Sequence, residues 1–226
     1  MRYALIGLMA LFLAACQSGT NEAGSTGDVS LDSNMDTLCY SYGVTVGQNI
    51  KSLGDDLNRE ALMAGILEGI EGREPKVDNA VLMTKAGEFL QMVNERAVAR
   101  NQAEGQAFLQ EKAEEEGVVV LPSGLQYKVI REGDGASPTA SDRVTIHYRG
   151  TLIDGTQFDS SFDRGEPITY PVNGFIPGWV EGLQLMQEGA KYEFYIPSDL
   201  AYGNRGNRGI PPNSTLVFEV ELIKVN

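Results

Sequence analysis

The chain has 226 residues, 42% hydrophobic and 22% charged, which excludes wholesale disorder and allows one large or two modest domains. A formal net charge of −13 repels phosphate backbones and argues against nucleic acid as a partner. Two cysteines, Cys16 and Cys39, and a single histidine exclude a zinc site by count. The acid is uneven: residues 1–118 hold nine basic and eighteen acidic side chains, the remainder nine and thirteen.

Residues 1–15 carry Arg2, the apolar run Tyr3–Leu13 and then small residues. The run is too short to span a bilayer and has the layout of an export signal. Its ending, Leu13-Ala14-Ala15-Cys16, resembles a bacterial lipoprotein processing site. That implies a removed signal peptide and a lipidated Cys16. Gln17, rather than aspartate, after the cysteine favours the outer membrane. Several acyl chains suffice for stable anchoring. Residues 16–30, rich in Gly, Ser, Thr and Asn, then read as a flexible tether with a reach on the order of 20 Å.

Near Asp36 the period becomes helical: Leu38, Tyr42, Val46 and Ile50 recur every four residues. Gly43 and Gly47 flank that stripe, each costing roughly 1 kcal/mol of helix stability against alanine. The cost is easiest to explain if another backbone packs there. A second helix fits Asn58–Glu71, with Leu62, Ile66 and Ile70 in line and Gly65 and Gly69 alongside, ended by Gly72 and Pro75. From Asp78 to Glu116 there is no proline, which predicts one helix of about 40 residues stopping at Gly117. Its early part has an apolar face through Val81, Leu82, Phe89, Leu90 and Val93; Glu104–Glu116 has little. A helix that is apolar at one end and solvated at the other bridges two bodies. Residues 31–117 thus form a small helical domain, marginal alone, whose packing motivates pairing with a second copy. The alternative is packing on the chain's own second domain. Cys39 reads as a small buried apolar residue, with a disulfide across the dimer as the other reading.

After Gly117 the period shortens to two. Leu125, Tyr127 and Val129 alternate with polar residues. Val144, Ile146 and Tyr148 share one face of a strand, and Arg143, Thr145, His147 and Arg149 the other. Asp154-Gly155 turns, and Phe158 returns with Asp159 beside it. Ile168–Val172 alternates briefly. Pro177-Gly178-Trp179 opens a short helix with Trp179, Val180, Leu183 and Met186 on one side, closed by Gly189. Tyr192–Ile196 and Leu216–Leu222 alternate again. Roughly five strands and one helix give an α+β domain over residues 118–226, an antiparallel sheet wrapped on a short helix.

Catalytic kits of the familiar kinds are absent. His147 lies opposite Tyr148, on the wrong face for a Ser-His-Asp site. GNRGNRG, Gly203–Gly209, is followed by Ile210-Pro211-Pro212 rather than a helix, so it is a structured surface loop and not a phosphate loop. Asp159 and Asp163 resemble a glycosidase pair only in residue type, without a cleft. What remains is an aromatic set, Tyr148, Phe158, Trp179, Tyr202 and Phe218, with Phe175 and Ile176 before the helix and Asp159 and Arg164 at its edge. Ordinary core is the bland reading. Against it, Tyr202 sits in a glycine-flanked loop, and Asp159 and Arg164 sit beside the apolar set, where unpaired charge is costly.

At these residues the chain from about Gly117 to Asn226 resembles the FKBP-type peptidyl-prolyl cis–trans isomerases. The motifs are VTIHYRG (Val144–Gly150), DGTQFDSS (Asp154–Ser161), IPGW (Ile176–Trp179), LAYG (Leu200–Gly203) and the closing PPNSTLVFEVELIKV. Residues 35–116 resemble, more loosely, the dimerisation region of the Mip-like and FkpA-like exported members. The resemblance implies a pocket in which Tyr148, Phe158, Asp159, Tyr202 and Phe218 act on the bond. Arg164, Phe175, Ile176, Trp179 and Ile210 would hold the substrate on a Trp179 floor. It implies the Ile176 N–H and the Tyr202 hydroxyl as donors to substrate carbonyls, and Asp159 held by Arg164 and Tyr148. Ile168 stands where many members have phenylalanine, Asn207 where the best-known have histidine, and the loop before Pro211 is one residue shorter. These departures bear on drug affinity and sequence preference.

The family implies no cofactor and no metal. Its partners would be unfolded or folding chains with Xaa-Pro bonds, a second copy through the N-terminal helices, and macrolide inhibitors. The membrane is met only through the lipid anchor, in the bacterial cell envelope. The alternatives are a dimeric chaperone-like binder of unfolded envelope proteins with secondary isomerase activity, and an envelope adhesion factor with a vestigial isomerase.

Overall fold

The computed structural model describes residues 29–226. The expected signal peptide, Cys16 and nearly all of the expected tether lie outside the described residues. Helix α1 (Asn34–Ile50) starts at a reciprocal cap: the Ser33 hydroxyl accepts from the Asp36 N–H at 3.1 Å, and the Asp36 carboxylate accepts from the Ser33 N–H at 2.8 Å. A 3₁₀ turn, Lys51–Asp56, leads to α2 (Arg59–Ile70), capped by the Asn58 side chain. Asp78 caps α3 (Asn79–Ala113), whose 35 residues span about 50 Å. The chain then reverses through Gly117 at φ 84°.

The three helices fall where periodicity predicts them, but their apolar stripes are not covered by other described residues. Tyr42 is 73% exposed, Ile70 77% and Met83 73%, with Leu38, Val81, Leu82 and Leu90 also exposed. Cys39 is exposed as well, which corrects its reading as a buried residue. A side chain added at Gly43, Gly47, Gly65 or Gly69 would meet open space, so no backbone among the described residues packs at those glycines.

The long helix is also reversed from expectation. Its apolar first half is bare except where the 3₁₀ turn rests on it, with Leu53 buried, the Ser52 hydroxyl on the Val93 carbonyl and Arg96 paired with Asp56. Its polar second half docks on the C-terminal domain. Asn101 Nδ2 donates to the Pro212 carbonyl at 2.7 Å, Gln126 Nε2 to the Leu109 carbonyl at 2.8 Å, and Asn213 Nδ2 to the Val98 carbonyl at 3.4 Å. Phe108 meets Tyr195 edge-on at 5.9 Å, and the Lys112 ammonium lies over both rings. Gly105 is buried so closely against Thr215 that a Cβ would overlap its hydroxyl. The surface is polar because side-chain amides satisfy carbonyls on the facing element, an arrangement that apolar periodicity does not register.

The C-terminal domain is one seven-stranded sheet. In chain order it comprises β1 (Val118–Val120), β2 (Gln126–Arg131), β3 (Arg143–Leu152) and β4 (Gln157–Ser160). After a single helical turn, α4 (Ser161–Arg164), come β5 (Ile168–Pro171), α5 (Pro177–Leu183), β6 (Lys191–Ile196) and β7 (Leu216–Val225). The strand order is β1-β2-β6-β7-β3-β4, with β5 on β3, and every pairing is antiparallel. One edge of β3 is shared: β5 takes Arg143–Ile146 and β4 takes Arg149–Thr151. The α+β architecture is thus as expected, with two strands more. The run Val118–Val120 has no alternation and β4 has four residues, so periodicity passes over both.

The inward alternation of β3 is the predicted one, Val144, Ile146 and Tyr148 being buried. They join Phe194, Ile196, Leu216, Phe218, Val220 and Leu222 in a core on which α5 lies, contributing Trp179 and Leu183. The helix can come this close because Gly178 and Gly182 face it: a Cβ at Gly182 would stand 2.6 Å from the Phe194 ring, and one at Gly178 2.6 Å from Ile196.

Candidate active site

A cavity of about 470 Å³ opens between α5, the inner face of β3 and β7, and the loop joining β6 to β7. Its floor is Trp179, 3% exposed. The indole meets Tyr148 edge-on at 5.2 Å and 83°, and Phe218 at 5.0 Å and 82°; Phe175 lies tilted at 4.8 Å. Phe158 closes the wall edge-on to Phe218 at 5.5 Å. Edge-to-face contacts suit ring quadrupoles and fix each ring by its neighbours.

That aromatic meeting depends on Gly150. It sits in β3 beneath both rings, and a Cβ there would stand 2.6 Å from Phe218 and 2.7 Å from Phe158. Its Cα partners across the sheet are Asp159 on β4 and Phe218 on β7. The same register sets Asp159 beside the pocket.

The polar edge is a closed triad. The Tyr148 hydroxyl donates to Asp159 Oδ2 at 2.5 Å, Arg164 Nη2 donates to the Tyr148 oxygen at 2.9 Å, and Arg164 Nη1 pairs with Asp159 Oδ1. The Arg164 guanidinium also lies 5.5 Å over the Tyr148 ring. Burial pushes the Asp159 carboxyl up, but the hydrogen bonds from Tyr148 and Arg164 and the guanidinium charge outweigh it, holding it below the usual carboxylate range. Burial, reinforced by the hydrogen bond to Asp159, pushes the Tyr148 hydroxyl up. Asp159 is therefore a fixed anion with both oxygens engaged and no proton to give near neutrality.

Three donors at the cavity are unspent, one of them the buried indole N–H of Trp179 in its floor. Among the described residues neither the Ile176 N–H nor the Tyr202 hydroxyl makes a hydrogen bond, and both residues line the cavity. Ile176 is the residue before Pro177, the first residue of α5, so its N–H precedes the helix ladder. Tyr202 is half-buried against the core on the glycine-flanked loop.

Of the ten residues expected at the pocket, nine line this cavity: Tyr148, Phe158, Asp159, Phe175, Ile176, Trp179, Tyr202, Ile210 and Phe218. Arg164 stands behind it, reaching it through Asp159 and Tyr148. His147 is outside, its Nδ1 2.9 Å from the Ser161 hydroxyl and its ring stacked on Phe162 at 4.6 Å. Asp163 is exposed and accepts from Gln157 Nε2 at 2.6 Å, away from Asp159. The loop Gly203–Gly209 is a 3₁₀ turn and a tight hairpin. Sequence reasoning missed Gly150 as a spacer, although it ends the VTIHYRG motif, and missed Arg208, which lines the mouth. No cluster able to hold a metal ion occurs among the described residues.

Residues 135–223 match the FKBP-type peptidyl-prolyl cis-trans isomerase family, and residues 35–129 match the domain amino-terminal to it. The chain is 50% identical to the FKBP-type 22 kDa peptidyl-prolyl cis-trans isomerase of Escherichia coli, covering 82% of this chain and 93% of that one. It is 38% identical to the FKBP-type peptidyl-prolyl cis-trans isomerase FkpA of Aeromonas hydrophila, over 98% of this chain and 92% of that one. It is 40% identical to the Outer membrane protein MIP of Legionella longbeachae, over 100% of this chain and 97% of that one. Among solved structures, FkpA from Escherichia coli superposes with a TM-score of 0.67 at 36% identity, over 87% of this chain and 99% of that one.

Proposed function

The chain belongs to the FKBP-type peptidyl-prolyl cis–trans isomerases, and from that premise we propose how its pocket turns over an Xaa-Pro bond and where in the cell it does so. The activity itself is the family's, and the comparisons favour it over the chaperone-like alternative. Rotation about a peptide bond costs ~18–20 kcal/mol because amide resonance must be broken, and Xaa-Pro bonds exchange in tens of seconds or slower. The planar amide is more charge-separated than the twisted one. A dry aromatic pocket therefore disfavours the planar ground state relative to the twisted state. Each ~1.4 kcal/mol of that difference is worth tenfold in rate.

The proline ring rests on Trp179 between Tyr148, Phe158 and Phe218. The Ile176 N–H and the Tyr202 hydroxyl bind carbonyls of the twisted chain. Asp159 acts as a fixed dipole partner, held by Arg164 and Tyr148, and Phe175 and Ile210 hold the flanking chain. The single observation that carries this reading is that the Ile176 N–H and the Tyr202 hydroxyl stand unspent beside an aromatic pocket whose one carboxylate is already satisfied. The measurement is peptide cis–trans exchange by NMR. Tyr202→Phe is expected to lower kcat/KM about two- to tenfold, and Asp159→Ala about tenfold or more. Wild-type protein that leaves the exchange rate unchanged would refute the reading.

The finer expectations follow from the same membership. A signal peptide over residues 1–15, a lipidated Cys16 and a tether over residues 16–30 would hold residues 31–226 at the cell envelope, facing exported clients. The name of the Legionella longbeachae relative supports an outer-membrane setting. No helix among the described residues is long and apolar enough to cross a membrane. The uncovered stripes of α1, α2 and α3, with open space at Gly43, Gly47, Gly65 and Gly69, support a homodimer through the helical domain. Macrolide inhibitors fit the same aromatic pocket.

A further inference from the structure

The loop over the pocket carries a charge that the reaction does not use. Asn207 and Ile210 exchange both backbone hydrogen bonds, Asn207 N–H to the Ile210 carbonyl at 2.9 Å and Ile210 N–H to the Asn207 carbonyl at 2.8 Å. Arg208 and Gly209 are thus the two tip residues of a closed hairpin. The hairpin is anchored at both ends. Asn213 N–H donates to the Gly203 carbonyl at 2.8 Å, and a Cβ built at Gly209 would lie 3.6 Å from Phe158. The Asn207 side chain accepts from the Arg208 N–H at 2.8 Å. The backbone of Arg208 is therefore fixed at the cavity mouth beside Phe158 and Tyr202, and the residue lines the cavity.

The charge balance at that mouth is opposite to that of the chain. The net charge is −13, yet the only carboxylate lining the cavity, among the described residues, is Asp159, and Arg164 already neutralises it. Neither Arg208 nor its loop neighbour Arg205 forms an ion pair among the described residues. Arg208 is exposed, so its guanidinium is free to meet whatever enters.

We propose that Arg208 is a specificity-determining residue that favours Xaa-Pro segments bearing a carboxylate side chain directly before or after the proline. The proposal rests on the isomerase reading of the same pocket. A substrate carboxylate at the rim gains a planar, bidentate partner in Arg208. A substrate lysine there meets like charge. Because the site is wet, the preference is modest and depends on salt.

The test is a tetrapeptide series with Glu, Gln or Lys directly before or after proline, assayed on the full chain. At ~20 mM salt the kcat/KM for Glu exceeds that for Lys by about threefold at one position or both, and the ratio approaches one at ~0.5 M salt. Arg208→Ala removes the preference and Arg208→Glu inverts it. Arg205→Ala, farther from the cavity, retains most of it. Thermal melts of each variant separate a changed preference from a changed fold. The uncharged Gln peptide reports the isomerase reading alone: no acceleration there overturns that reading and this proposal together. Acceleration of the Gln peptide with Glu and Lys equal, or a preference that survives Arg208→Ala, overturns this proposal and leaves the isomerase reading intact.

Discussion

At the scale of single residues, the pocket depends on one missing side chain and one locked charge. Gly150 leaves room for Phe158 and Phe218 to meet edge-on, since a Cβ would sit within 2.7 Å of both. Gly150→Ala is expected to cost about 1–3 kcal/mol of stability through overpacking and to lower kcat/KM more than it lowers the melting temperature would suggest. Chemical denaturation and peptide exchange on the same sample measure the two effects. Asp159 gives a prediction in pH. Its folded pKa is depressed, so its ion pair stabilises in full above the unfolded value of about 3.9 and is lost as pH falls through the lower folded value. Activity carried by the triad therefore holds from neutrality down to the ordinary carboxylate range and falls only below it. In Asp159→Asn the acid limb disappears from the profile. A limb centred near pH 6 in the wild type would contradict the assignment. Asp159 and Phe158 were legible in the sequence as an aromatic beside a carboxylate. The role of Gly150 was not, because a glycine's use lies in what it fails to touch.

At the scale of elements, α3 joins the two regions through its polar half. Asn101, Asn213 and Gln126 each pair an amide with a carbonyl across the seam, and Gly105 lets the helix approach Thr215. Gly105→Leu is expected to separate α3 from the sheet domain, exposing the Gly117 turn to protease while leaving tetrapeptide turnover measurable. Limited proteolysis with an activity assay on the same preparation reads both. Uncut protein would show that the seam absorbs a side chain of that size. Asn101→Ala, which strands the Pro212 carbonyl, costs about 1–3 kcal/mol in the same direction. The proline-free span located the helix and its stop at Gly117, but periodicity assigned the contacts to the wrong half. Hydrophobic stripes announce burial against apolar surface; amide-to-carbonyl docking leaves no such stripe.

At the scale of the molecule, the catalytic domain closes its own core and the helical domain does not. Trp179, Leu183, Phe194 and Val220 are buried within one sheet and one helix. Tyr42, Ile70 and Met83, by contrast, are left largely exposed by the described residues. Sedimentation velocity of the chain from residue 31 onward is expected to give a dimer, and Leu38→Glu with Tyr42→Lys a monomer. A wild-type monomer would end the dimer reading. Single-residue gain is a second indicator: if the second copy packs at Gly47, Gly47→Leu weakens the dimer, whereas an unpartnered helix would gain stability from it.

The sequence by itself determined the local structure and the membership of the pocket. Caps at Ser33, Asn58 and Asp78, the inward alternation of β3 and the short helix at Pro177 are nearest-neighbour effects, written in a few adjacent residues. Of the nine named residues that line the cavity, seven sit in short motifs whose order survives without coordinates, and Phe175 and Ile210 stand directly beside two of those motifs. Only the tertiary structure decided what touches what. It put Arg164 behind Asp159 rather than in the cavity, and set Arg208 at its mouth. It left Cys39 exposed and turned the polar half of α3 into a docking face. Those outcomes rest on distances between residues far apart in the chain, such as Asn101 and Pro212, which no local period encodes.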